Sequence, residues 1–230
     1  RANINFINDK FKGQRIGIIG LGGTGSYILD FIAKTPVEEI LLFDDDEFLL
    51  NNAFRAPGAP SIETLNKKIK KVDYFSNLYS NMRRKIIPNS VKIVKENSNL
   101  LKELSFVFIS VDSNIARSTI ISKLLHFQIP FIDVGLGVEI KNDTLSAILR
   151  ATLGTQTMFN HLPSRIGSVD GDDGDEYSTN IQIADLNAMN ALMAVIKWKR
   201  HIGFYKDLKE EHNITYTVNT GQMLSDDFET

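Results

Sequence analysis

The stretch GIIGLGGTGSYILDF, residues 17–31, restricts the possible folds of this chain more than any other segment. Four glycines, Gly20, Gly22, Gly23 and Gly25, separate an apolar run ending at Ile19 from a segment in which Tyr27, Ile28, Phe31 and Ile32 recur at helical spacing. That order reads as strand, tight turn, helix. The glycines satisfy G-x-G-x-x-G: Gly20 suits the tight turn, Gly22 lets a phosphate approach the backbone, and Gly25 lets the helix pack on the strand. Any Cβ at Gly22 or Gly23 is expected to hold a nucleotide off the backbone amides.

The rest of the chain repeats this alternation. Apolar segments at 15–19, 39–43, 91–95, 105–111 and 130–134 read as strands, with helices near 24–34, 61–84 and 114–127 between them. Helical crossovers join parallel strands, since a hairpin cannot return the chain in the same direction. After residue 135 the pattern changes: 137–141 and 144–152 alternate as antiparallel strands do, 163–176 is a Gly/Asp/Ser-rich loop, and a helix is expected from Thr179 to Arg200 before a strand at 214–218. The apolar side of that helix is read as Ile181, Ile183, Leu186, Met189, Leu192 and Val195. The expected class is α/β: a Rossmann-like, mainly parallel sheet flanked by helices, with an antiparallel extension in the C-terminal half.

With 230 residues, 43% of them hydrophobic, the chain suits one domain spanning 1–230. It opens on Arg1 rather than Met, as a fragment of a longer protein would. A formal net charge of −2 gives no reason to expect nucleic acid or an anionic membrane as partner. No apolar run reaches the ~20 residues of a membrane span, so a cytoplasmic location is expected. The chain has no cysteine, which excludes a disulfide, a thiolate metal site and a cysteine thioester on these residues.

The glycine turn by itself fits an NAD(P)-dependent oxidoreductase, with one of Asp44–Asp46 as the ribose-binding acid. The segment LLFDDDEFLLNNAFRAPG points elsewhere. It sets Asp44, Asp46, Asn52 and Arg55 in the pattern D-x-D-x5-N-x2-R, and a dinucleotide site has no use for that arginine. A triphosphate site does, because a planar guanidinium bridges phosphate oxygens and a nearby ammonium neutralises the remainder. A lysine follows on the next helix, either Lys68 or Lys71, and an aspartate, Asp112, ends a later strand in ISVDSNIAR.

Together these motifs resemble the adenylyltransferase domain of ubiquitin-activating enzymes and their bacterial ThiF and MoeB relatives, over residues 13–151 and more loosely beyond. The resemblance implies ATP and Mg2+ as cofactors, with adenylation of the C-terminal carboxylate of a ubiquitin-like protein, sulfur-carrier protein or peptide and release of pyrophosphate. It also implies a homodimer. By the same resemblance, Asp44 holds the ribose, Asn52 and Arg55 meet the phosphates, and Asp112 binds the metal. The glutamine usual after that arginine is Ala56 here. For the phosphate-binding lysine, Lys68 has the commoner spacing and Lys71 the better local context, KVDYF, and is favoured. Catalysis would then rest on Arg55, Lys71 and Asp112, with Gly20, Gly22, Gly23, Gly25, Asp44, Asp46 and Asn52 binding the nucleotide. Arg117 matches a commonly basic position, and Arg1 is a candidate for an arginine donated across the dimer. Lacking cysteine, the chain reads as an adenylation-only module. An oxidoreductase, or the non-catalytic half of an activating-enzyme heterodimer, stays open as an alternative. His126, His161, His201 and His212 show no ligand-like pairing and read as structural.

Overall fold

The computed structural model describes residues 5–166 and 181–225. After a short helix α1 (Asn5–Asn8) come β1 (Arg15–Ile19), α2 (Gly23–Ala33), β2 (Glu39–Phe43), α3 (Leu50–Ala53), α4 (Ile62–Asn66), α5 (Lys71–Ser80), β3 (Ile86–Asn89), β4 (Phe106–Ile109) and α6 (Asn114–His126). The chain continues through β5 (Phe131–Lys141), β6 (Thr144–Gly154), α7 (Leu162–Arg165), α8 (Ala184–His201), β7 (Asn213–Thr217) and β8 (Gln222–Leu224). The strands form one sheet in the order β3-β2-β1-β4-β5-β6-β7-β8. Pairing is parallel from β3 to β5 and antiparallel from β5 to β8. The class expected from the sequence is therefore the one observed.

The parallel strands are apolar on both faces because helices cover both. Ile16 and Ile18 of β1 join a core with Ile28, Leu29 and Ile32 of α2, Phe75 of α5 and Trp198 of α8. Ile19, Val107 and Ile109 face the other way, onto Ile120 and Leu124 of α6. The chain leaves β1 towards β2 on one side and later returns to place β4 on the other. This reversal makes the C-terminal ends of β1 and β4 the topological switch point, the place where open α/β sheets bind ligands.

Several expected boundaries move. The single helix expected over 61–84 is broken into α4 and α5, since Lys68 takes a left-handed backbone (φ 48°) and Lys70 pairs with Glu47 in an isolated antiparallel bridge. The strand expected at 91–95 lies earlier, at Ile86–Asn89, because α5 already ends at Ser80. Pro88 is tolerated there because β3 is the sheet edge and pairs only with β2. The segments 130–134 and 137–141 are one continuous strand, β5. Pro163 to Arg165, placed in a loop from the sequence, belong to α7. Residues 167–176 of that loop, Thr179 and Arg1 lie outside the described residues. The strand β8 was not foreseen.

Ile181, Ile183, Leu186, Met189 and Val195 lie in or against the core as expected, with one exception on α8. Leu192 points outwards, 44% exposed, while Asn187 and Asn190 are fully buried. Hydrogen bonds draw these amides inside: Thr24 Oγ1 donates to Asn187 Oδ1 (2.9 Å), and Asn190 Nδ2 donates to the Gly135 carbonyl (3.0 Å). A buried amide so bonded overrides apolar periodicity.

Candidate active site

The glycine turn crowns β1. Gly20 has φ +87°, and a Cβ there would lie 2.2 Å from the Ser110 carbonyl oxygen at the end of β4. Only glycine fits both constraints. A Cβ at Gly25 would meet the Gly20 carbonyl oxygen at 1.9 Å, so Gly25 lets α2 close onto the turn, as the sequence indicates. At Gly22 a Cβ would meet nothing within 4 Å, which leaves the backbone open to a ligand. At Gly23 a Cβ would strike Asn187 Nδ2 at 2.0 Å, so packing against α8 already demands glycine there.

On the β2 side, Asp44 ties the turn to the following loop. One carboxylate oxygen accepts the Leu21 N–H (2.7 Å) and the other the Asp46 N–H (2.9 Å). Lys71 opens α5 and is buried, with Nζ 2.6 Å from Asp46 and 3.6 Å from Asp44. Burial raises the Asp44 carboxyl above the ordinary aspartate value, opposed chiefly by the Lys71 ammonium and the two backbone N–H groups. Lys68, by contrast, is exposed. The structure thus brings Lys71, not Lys68, to the aspartates.

A cavity of about 460 Å³ opens beside these groups, with Asp46, Asn52, Arg55 and Lys71 in its lining. Asn52 is buried and fixes the loop by accepting the Leu49 N–H (2.8 Å), while its carbonyl accepts the Arg55 N–H (3.1 Å). The Arg55 guanidinium forms no ion pair among the described residues, and its Nε is buried without a hydrogen-bond partner. A guanidinium beside a cavity, with no carboxylate paired to neutralise it, leaves its charge available to an anionic ligand.

On the β4 side, Asp112 is exposed and makes no hydrogen bond or ion pair among the described residues. The N-cap of α6 falls to Ser113, whose Oγ accepts the Ala116 N–H (3.3 Å), so Asp112 is not spent as a cap. Its unengaged carboxylate suits Mg2+, which commonly takes one or two protein carboxylates plus substrate phosphates. Arg117 turns away from solvent: Nε donates to Asp133 (3.0 Å), and its other nitrogens donate to Asn114 and to the Val111 carbonyl.

The sequence reading missed Thr24 and Asn187, which set the turn against α8, and the fully buried Asp133, held by Arg117 and Arg150. A buried asparagine on an otherwise apolar helix face was the one available signal for the first pair. Asp133 and Arg150 come together only through the β5–β6 register, which no spacing shows.

Fold and site together define an α/β nucleotide-binding domain with a glycine turn at the topological switch, flanked by acids and by two cationic side chains. The chain belongs to the ThiF family, whose model matches residues 7–217. Solved structures share the fold at low identity. The microcin C7 biosynthetic enzyme MccB in complex with N-formylated MccA superposes with a TM-score of 0.75 at 16% identity, covering 98% of this chain and 67% of that one. E. coli MccB with ATP gives 0.73 at 17% identity, with the same coverage. PaaA gives 0.71 at 16% identity, covering 96% of this chain and 65% of that one. The chain thus spans about two thirds of the length of these structures. No curated protein sequence matches it.

Proposed function

We propose that this chain is an ATP- and Mg2+-dependent adenylyltransferase acting on the C-terminal carboxylate of a peptide or small protein. The observation that carries the reading is Arg55, a guanidinium with no ion-pair partner among the described residues that lines a cavity shared with Lys71 and Asn52. Two cations beside an open glycine turn suit a triphosphate better than a dinucleotide. Membership of the ThiF family and the structural likeness to MccB, solved with ATP and with MccA, support it.

In this reading the phosphates lie over Gly22, with the ribose held by Asp44 and the phosphate charge met by Arg55, Lys71 and Asn52. Lys71 would exchange its bonds to Asp46 and Asp44 for phosphate oxygens. Asp112 would hold Mg2+, which neutralises charge on the phosphates when bound. The substrate carboxylate, already ionised at pH 7, attacks the α-phosphorus. One oxygen–phosphorus bond forms, the bond to the bridging oxygen breaks, and pyrophosphate leaves with the electron pair. No protein base is required, so the chain contributes position and charge. Without cysteine, the acyl-adenylate must pass to an acceptor that this chain does not supply as a thiolate.

A homodimer is part of the proposal. Leu192 and Ile196 stand one turn apart on the exposed side of α8, 44% and 40% accessible, and α8 packs on α2 beside the turn. Among the described residues no helix is long and apolar enough to cross a membrane.

Thermal-shift titration with Mg-ATP, NAD and NADP in parallel tests the nucleotide, since a ligand that binds only the native state raises its melting temperature. Stabilisation by Mg-ATP with little response to NAD is expected. An equal or larger shift with NAD would overturn the reading in favour of an oxidoreductase.

A further inference from the structure

The β5–β6 hairpin carries a charge that its own packing does not account for. Asp133 is fully buried and accepts from two guanidiniums, Arg117 Nε (3.0 Å) and Arg150 Nη2 (2.6 Å), so the group carries a net positive charge. The three nitrogens of Arg117 are all engaged. Arg150 is not used up: Nη1 donates to Thr152 Oγ1 (2.6 Å) and Nη2 to Asp133, which leaves three of its five N–H groups. Its side chain is 17% exposed, enough to meet a ligand and sheltered enough for a charge-assisted bond to count.

The strand beside it carries no side chain at two successive positions of this face, Gly135 and Gly137. Gly135 pairs with Arg150 across the ladder, and a Cβ there would fall 2.8 Å from Arg150 Nη2; glycine therefore lets the guanidinium lie across β5 to reach Asp133. Gly137 pairs with Ile148, and a Cβ there would meet nothing within 4 Å. The result is one open backbone position, Gly137, beside a fixed cation that covers Gly135. The next acidic side chain along this face of β5 is Glu139, four residues beyond Gly135.

We propose that Arg150, clamped by Asp133 and Thr152 beside Gly135 and Gly137, is a specificity residue that selects a substrate peptide with an acidic side chain among its last three residues. The assignment rests on the adenylation reading above. Its length scale follows from the sheet: β6 lies two strands from β4, about 10 Å from the end where Asp112 stands, and three extended residues span about the same distance. A peptide whose terminal carboxylate reaches the nucleotide thus brings one of its last side chains to Arg150.

The test uses synthetic heptapeptide pools carrying Asp and Glu, Asn and Gln, or Lys at each of the last three positions, read by both fluorescence-anisotropy binding and Mg-ATP-dependent pyrophosphate exchange. An acidic pool should bind and exchange about tenfold better than its amide counterpart, the discrimination expected of a charge-assisted pair. Arg150→Gln should abolish that preference while leaving the Mg-ATP thermal shift in place, and Arg150→Lys should restore part of it. Gly137→Val puts its side chain into open space without crowding the fold, and should weaken peptide binding with the nucleotide response unchanged. Equal binding of acidic and amide pools, an unchanged preference in Arg150→Gln, or unchanged binding in Gly137→Val would overturn the assignment while leaving adenylation intact. Pyrophosphate exchange absent with every pool would instead overturn the adenylation reading, and with it this one.

Discussion

Replacing Lys71 by Met keeps the buried hydrocarbon stem and removes the charge, which isolates the electrostatic role of this lysine. Asp44 is the residue most affected: its side chain is 8% exposed and its Oδ1 lies 3.6 Å from the ammonium. At an effective dielectric of about 20, that separation corresponds to a gross attraction of about 4–5 kcal/mol. Relief of the ammonium's own desolvation offsets part of this, so the net loss is about 2–3 kcal/mol. The shorter contact to Asp46 adds under about 1 kcal/mol, because that carboxylate is 68% exposed. For a chain of this length the melting temperature should fall by roughly 5–10 °C. The loss should also depend on pH in a defined direction. Asp44 already titrates above its ordinary value through burial, and Lys71 is the largest influence opposing that rise. Without the ammonium its folded pKa climbs further, so the folded variant binds a proton that the unfolded chain does not, and its deficit relative to wild type must shrink as pH falls from about 7 towards about 4.5. Urea unfolding of both proteins across that range measures the difference, and adding Asp44→Asn to the variant should recover stability. A deficit that is constant, or that grows on acidification, would refute the argument that Lys71 compensates a buried carboxylate.

Arg55→Ala should lower pyrophosphate exchange by on the order of a hundredfold or more, as loss of an electrostatic transition-state contact does, with unfolding unchanged; a stability loss with normal exchange would make Arg55 structural. Leu192→Glu should convert the proposed dimer to a monomer by light scattering, whereas a wild-type chain that is already monomeric at high micromolar concentration removes the assembly. Mass spectrometry after incubation with Mg-ATP and candidate peptides should show no thiol-labile adduct, since no thiolate exists to carry one; a stable covalent conjugate would send the search to whichever residue bore it.

How much of this was legible in the sequence varies by element. β1 and β2 fall at the positions read from their apolar runs, and the glycine turn between β1 and α2 has the geometry its spacing demands. Local physics suffices there: one strand, one turn and one helix leave little choice. The helix over 61–84 failed because its break depends on the Glu47–Lys70 bridge, a contact between segments that periodicity treats separately. The same break separates Lys68 from Lys71 and sets only Lys71 beside the aspartates, a difference that sequence spacing does not show. Asp46, Asn52, Arg55 and Lys71 do share one cavity, but Asp112 is not in its lining and stands across the glycine turn at the end of β4. Of the apolar side read for α8 only Leu192 departs, and a pattern scored on apolar residues cannot include Asn187 and Asn190, whose placement depends on partners in α2 and β5.

The contact between Gly23 and Asn187 limits the order in which this chain can change. The amide nitrogen sits where a methyl group on residue 23 would be, and the neighbouring hydrogen bond joins Thr24 to Asn187 across 163 positions of sequence. Gly23→Ala made first collides with Asn187, whereas Asn187→Ala made first opens space and leaves only an unpaired threonine hydroxyl. An alanine at position 23 should therefore be rescued by a smaller residue at 187. In a doubly randomised library selected for folding, the two positions should appear as correlated choices, with routes between them passing through the helix before the turn.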